Sequence, residues 1–245
     1  MKKILLVLLL IPSLLGVKAQ QDSAIMLVEG FLKFANYDSY VKDSVLYIES
    51  EIVKRYGEGD TVRMKRWYCP PNNYRIEVWS GRRPEVAMIG YKDSSFMYYF
   101  SSDRSWRHVH VDNFYQREWE YDFRSPLYFW KNNGMELTYE GTLDFEGSEV
   151  QQVLVRAPNM FDRHYLFEKK TGLYFMYVED GTRLDSDSVF TKHPVDWRAV
   201  HEYMPFRKGF YPSFESYQAD GDIILIHNTL KVIPYKKEIF LDTKL

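Results

Sequence analysis

Short runs in which apolar and polar residues alternate, separated by Gly, Pro, Asn, Asp and Ser, recur along most of this chain. Alternation with period two puts one set of side chains on each face of a strand, so the pattern commits the chain to antiparallel β-structure with tight connections. Strands are expected at 44–55, 61–69, 74–80, 85–91, 95–100 and 105–111, with turns such as Pro70-Pro71-Asn72-Asn73 and Gly81-Arg82-Arg83-Pro84 between them. A second series is expected at 135–139, 150–157, 163–167, 173–179, 196–203, 214–218 and 222–227. Turns are read at 141–147 and at Met204-Pro205, and the tail 234–245 reads as a loosely attached edge. Between the two series, residues 112–131 are aromatic and charged together and read as a loop plus a short helix after Ser125-Pro126, lying over the sheet. One amphipathic helix precedes all of this. Capped by Asp22 or Ser23, it carries Ile25, Leu27, Val28, Phe31, Leu32 and Ala35, and it ends at Asn36.

The first residues follow a different pattern. Met1-Lys2-Lys3 is positive, 4–17 carry no charge, and Val17-Lys18-Ala19 offers small or modest side chains for cleavage. That apolar run of about 14 residues is short of the roughly 20 that cross a bilayer, and Pro12 interrupts it. Residues 1–19 are therefore expected to be a secretory signal peptide, leaving 20–245 as a single soluble domain without a membrane segment. The full chain has 32 basic and 34 acidic residues, and losing Lys2, Lys3 and Lys18 makes it more acidic still. Such a balance gives no electrostatic basis for nucleic acid binding. The short clusters Lys65-Arg66 and Arg82-Arg83 read as solvated strand edges and turns. Cys69 is the only cysteine, so no intramolecular disulfide can form, and it reads as structural.

Catalytic patterns are missing from the sequence. It has no Gly-rich phosphate loop, no Gly-x-Ser-x-Gly elbow and no His-Glu-x-x-His helix. His108 and His110 have the spacing of a metal pair on one strand face, with no third ligand identifiable. No enzymatic activity, cofactor or metal is expected. The excess lies elsewhere, in 20 Tyr, 16 Phe, 6 Trp and 9 Met. Aromatic residues are ordinary strand formers, and with methionine they also line adaptable apolar slots. Alternation puts Tyr74, Ile76 and Val78 on one face and Arg75, Glu77 and Trp79 on the other, as for a sheet that buries one side only.

Four segments together resemble the LolA-like family, the periplasmic outer-membrane lipoprotein-sorting carrier and its relatives. They are 64–78 with Pro71-Asn72-Asn73-Tyr74-Arg75-Ile76-Glu77; Ser125-Pro126-Leu127 followed by 135–147; Tyr165-Leu166-Phe167-Glu168-Lys169-Lys170-Thr171-Gly172-Leu173; and Asp196-Trp197-Arg198-Ala199-Val200 followed by Met204-Pro205 and 223–228. One departure stands out: the carrier's arginine directly before the proline aligned with Pro71 is Pro70 here, and Arg66 is the nearest arginine upstream. The resemblance implies a mainly β fold, a strongly curved unclosed antiparallel half-barrel with a helical lid or plug. It also implies a non-enzymatic periplasmic carrier whose apolar cavity takes lipid or lipoprotein acyl chains, with an outer- or inner-membrane receptor as a further partner. Alternation supplies the cavity candidates Met64, Tyr74, Ile76, Val78, Met88, Phe96, Tyr98, Phe100, Leu137 and Tyr139, with Leu27, Phe31 and Leu32 from the helix. The rival expectations are an envelope protein-interaction module using exposed aromatics and a hydrolase acting on envelope glycan or lipid.

Overall fold

A computed structural model describes residues 2–39, 45–54, 61–69, 73–80, 82, 84–90, 95–100, 102, 105–110, 123–157, 162–179, 182–184, 190–192, 197–219, 222–236 and 238–241. Helix α1 (Lys2–Ala35) leads into strands β1 (Val45–Lys54), β2 (Val62–Cys69), β3 (Asn73–Trp79), β4 (Pro84–Gly90), β5 (Ser95–Phe100) and β6 (Ser105–His110). After a 3-10 turn at Pro126–Phe129 come β7 (Glu136–Phe145), β8 (Ser148–Arg156), β9 (Arg163–Glu168), β10 (Tyr174–Glu179), β11 (Thr182–Leu184) and β12 (Phe190–Lys192). Strands β13 (Trp197–Phe206), β14 (Gly209–Ala219) and β15 (Asp222–Ile233) and the short helix α2 (Glu238–Leu241) complete the chain. The fold is mainly β and antiparallel, as the alternation requires. These elements gather into two compact units, Met1–Lys33 with Trp130–Trp197, and Phe34–Phe129 with Arg198–Leu245.

α1 is one continuous helix from Lys2, so Asp22 and Ser23 do not start it; Ser23 Oγ instead donates to the Ala19 carbonyl at 2.9 Å. The apolar run before residue 18 is itself helical, and the helix continues through Asp22 and Ser23 without a break. Its end falls where expected. Asn36 adopts a left-handed φ of 47°, a backbone state that asparagine tolerates better than most residues. Among the residues beyond 18, Ala24, Val28, Phe31 and Ala35 form the fully buried stripe, Leu27 and Leu32 flank it half-buried, and Met26 is 74% exposed. No helix among the described residues is long and apolar enough to cross a membrane.

In the first unit the strands order as β7-β8-β9-β10, and β11 pairs with β12. The expected turn at 141–147 is mostly strand. β7 continues through a bulge, with Tyr139 opposite Val153 and Gly141 opposite Gln152, and Gly141 takes the positive φ of 114° that the irregularity demands. The reversal is only Glu146-Gly147, both at positive φ, as a two-residue hairpin requires. One face of this sheet carries Val153, Tyr165, Phe167 and Tyr174, all buried; the Phe31 ring packs edge-on at 4.7 Å from Tyr174 and 6.5 Å from Phe167.

In the second unit the order runs β6-β5-β4-β3-β2-β1-β15-β14-β13. Two expected breaks are absent. β13 passes through Met204-Pro205 and turns at Arg207-Lys208, and β15 continues past His227 to Ile233. The tail is also better anchored than a loose edge. Phe240 of α2 is buried, and Arg75 Nη1 donates to the Ile239 carbonyl at 3.1 Å. Arg75 pairs with Glu77 at 2.6 Å under that cover, and Trp79 Nε1 donates to the same carboxylate at 2.9 Å. On the mixed face of β3, Arg75 and Glu77 are therefore buried and Trp79 half-buried, the charges satisfied in place.

Candidate functional site

Directly opposed residues in an antiparallel ladder share a face, so the register decides which candidates meet. One row crosses the second unit's sheet as Val232, Leu46, Tyr68, Tyr74, Gly90 and Phe96. The next is Leu230, Ile48, Arg66, Ile76, Met88 and Tyr98, and the third is Asn228, Ser50, Met64, Val78, Val86 and Phe100. The strand candidates Met64, Tyr74, Ile76, Val78, Met88, Phe96, Tyr98 and Phe100 thus all hold positions on one face of β2 to β5. The side chains of Phe96, Tyr98 and Phe100, like those of His108 and His110, lie outside the described residues. Leu137 and Tyr139 belong to the other unit, where they stand opposite Val155 and Val153. Leu27, Phe31 and Leu32 are carried by α1, and Phe31 is spent on Phe167 and Tyr174.

Cover over this face is graded. Leu46, Tyr68, Tyr74 and Gly90 of the first row are buried: Tyr68 meets the Phe123 ring at 4.8 Å, Tyr37 meets Phe123 at 5.9 Å, and Arg124 Nη2 donates to the Tyr68 hydroxyl at 2.9 Å. Arg124 also lies over the rings of Tyr128 and Phe129, at 4.3 and 4.6 Å, so the short helical turn after Ser125 is tied through Arg124 to Tyr68 of β2, while residues 112–122 of the expected loop lie outside the described residues. At Gly90 a Cβ would overlap the Tyr74 ring, which lies across the glycine on the neighbouring strand. Further along, the cover thins. Ile76, Met64, Val78, Val86, Ile52 and Val62 are only half-buried. This leaves an apolar strip in contact with solvent beside an aromatic cap.

A polar cluster interrupts the strip. Arg66 stands between Ile48 and Ile76 in the second row, and its Nη2 donates to Ser50 Oγ at 2.9 Å and Asn228 Oδ1 at 3.3 Å. Ser50 Oγ donates to the same Asn228 oxygen at 2.7 Å. Asn228 Nδ2 donates to Glu215 Oε2 at 2.9 Å and to the Pro212 carbonyl at 3.1 Å, and Arg198 holds both Glu215 oxygens at 2.9 Å. Burial pushes the Tyr211 phenol above its ordinary range, with Arg66 beside it pulling the other way, so Tyr211 stays neutral and able to donate. None of these polar residues was expected at the site. The signal was available, since period two from Met64 leads directly to Arg66. Reading Lys65-Arg66 as a solvated edge is corrected here: β2 is an interior strand, and Arg66 is half-buried on its apolar face.

No family model and no curated protein sequence matches the chain. Solved structures do. A LolA superfamily protein from Nitrosomonas europaea superposes with a TM-score of 0.58 at 8% identity, covering 89% of this chain and 96% of that one. A DUF1329 family protein from Desulfovibrio piger gives 0.58 at 10% identity, with 93% and 97% covered. A domain described as outer membrane lipoprotein-sorting, from Vibrio parahaemolyticus, gives 0.57 at 9% identity, with 87% and 97% covered. At such identities the likeness establishes the fold, which is of the LolA-like, unclosed half-barrel kind.

Proposed function

We propose that this protein is a non-enzymatic carrier that binds lipid or lipoprotein acyl chains on the apolar face of β1 to β5. In this reading residues 1–19 are removed on export, 20–245 act in the periplasm, and delivery involves a membrane-associated receptor. One observation carries it: Met64, Ile76, Val78 and Val86 form a contiguous apolar strip that is half-exposed rather than filled. Such a strip gains about 0.8 kcal/mol for each methylene it removes from water, so an acyl chain has reason to settle there without covalent chemistry. The resemblance of the fold to lipoprotein-sorting proteins supports the same reading. Native mass spectrometry with lipid extraction, on protein purified from its own envelope, tests it. A phospholipid or acylated protein at near-stoichiometric level is the expected result. An empty protein that also ignores added lipids, yet is retained by an envelope protein, would replace the carrier with an interaction module.

A further inference from the structure

Arg66 is the one cation described on this strip, and its charge is not balanced there. Among the described residues no carboxylate lies within salt-bridge distance of it; Glu215 is taken by Arg198, and the contacts to Arg66 come from the neutral Ser50, Asn228 and Tyr211. Its Nε is sealed from water and has no hydrogen-bond partner. A guanidinium held against apolar neighbours with an unused donor is costly, and an oxyanion is the group that offsets that cost best. A bare inorganic anion would use the charge but not the half-exposed Ile76, Met64 and Val78 beside it. An amphiphile with a negative end uses both.

We propose that Arg66 anchors the oxyanion end of an amphiphilic ligand, with Tyr211 as a second donor, while the ligand's chain lies along the Met64, Ile76 and Val78 strip. Ser50 and Asn228 hold the guanidinium in place, and the Glu215–Arg198 pair fixes Asn228 in turn. This inference rests on the carrier reading and adds the polarity of the ligand and its orientation on the sheet.

Calorimetric titration with dodecanoate, 1-dodecanol and acetate at neutral pH separates the two ideas. Charge-assisted hydrogen bonds predict that dodecanoate binds at least about tenfold tighter than dodecanol, and that acetate binds far more weakly than either. Arg66→Gln should abolish the preference, and Arg66→Lys should keep part of it. The acid-to-alcohol ratio is an internal control, because a general folding defect weakens both ligands alike, and in the unmodified protein it needs no variant. Equal binding of the acid and the alcohol, or a preference that survives Arg66→Gln, overturns the anchor and leaves the carrier standing. Acetate binding as tightly as dodecanoate overturns it in favour of a small-anion site. Failure of both chains to bind removes the carrier reading and the anchor with it.

Discussion

Tyr165 shows how far one side chain can set the chain's tolerance of pH. It is 1% exposed, with Tyr174 and Tyr177 rings 5.5 and 5.2 Å away, and burial drives its phenol well above the ordinary range while nearby Arg163 pulls it down. In the unfolded chain the same phenol ionises near pH ~10. The folded state therefore holds its proton longer, so the stabilisation is complete below that pH and falls as pH rises above it. The slope is about 1.4 kcal/mol per pH unit for each such group. Tyr211, also buried and raised, adds a second group. Tyr165→Phe should accordingly make the loss of stability above pH ~10 shallower by about one group's worth. Denaturant titrations at successive alkaline pH values read that slope directly, and an unchanged slope would mean the phenol ionises freely in the folded protein.

The end of α1 is held at the scale of elements, by the hairpin of β13 and β14. Asn36 Nδ2 donates to the Lys208 carbonyl at 2.9 Å, and Phe34 stacks on Phe210 at 4.2 Å and 9°. Gly209 lies beneath, buried, where a Cβ would overlap the Ala35 carbonyl. The glycine is required for that close approach of backbones rather than for its φ. Gly209→Ala is expected to cost about 1–3 kcal/mol as overpacking against a backbone that cannot rotate away. A neutral result in chemical denaturation would show that the helix end shifts freely on the hairpin. Asn36 was legible as the helix stop and the first six strands were legible almost to the residue, because Gly, Pro, Asn and Asp mark their ends. The same code misled where those residues serve inside strands. Asn228, a turn former by type, is paired with Ser50 in mid-sheet, Pro205 sits within β13, and Gly141 belongs to a bulge. Arg66 escapes that code for a related reason, since charge alone argues for solvent while its position in the alternation argues for the apolar face. The docking of α2 on Arg75 depends on contacts 164 residues apart in sequence, which no local pattern reports.

On the scale of the whole molecule, two compact units give the carrier reading a spatial consequence. If an acyl chain lies over β1 to β5, its binding energy is expressed in the unit that contains those strands. A ligand at about 100 times its dissociation constant stabilises the state that binds it by about 2.7 kcal/mol. Amide hydrogen exchange should therefore slow most in β1 to β4, around the rows that hold Ile48, Met64, Ile76 and Met88. Strands β8 and β9, whose buried face is already filled by Val153, Tyr165, Phe167 and Phe31, should change little. Dodecanoate supplies the chain for this experiment, and the unliganded protein supplies the baseline. Protection gained instead around β7 and β8 would move the site to the face that bears Leu137 and Tyr139. Protection spread evenly over both units would mean that they open as one cooperative body, and the local reading of the site would then have to come from substitutions along the Met64, Ile76 and Val78 strip.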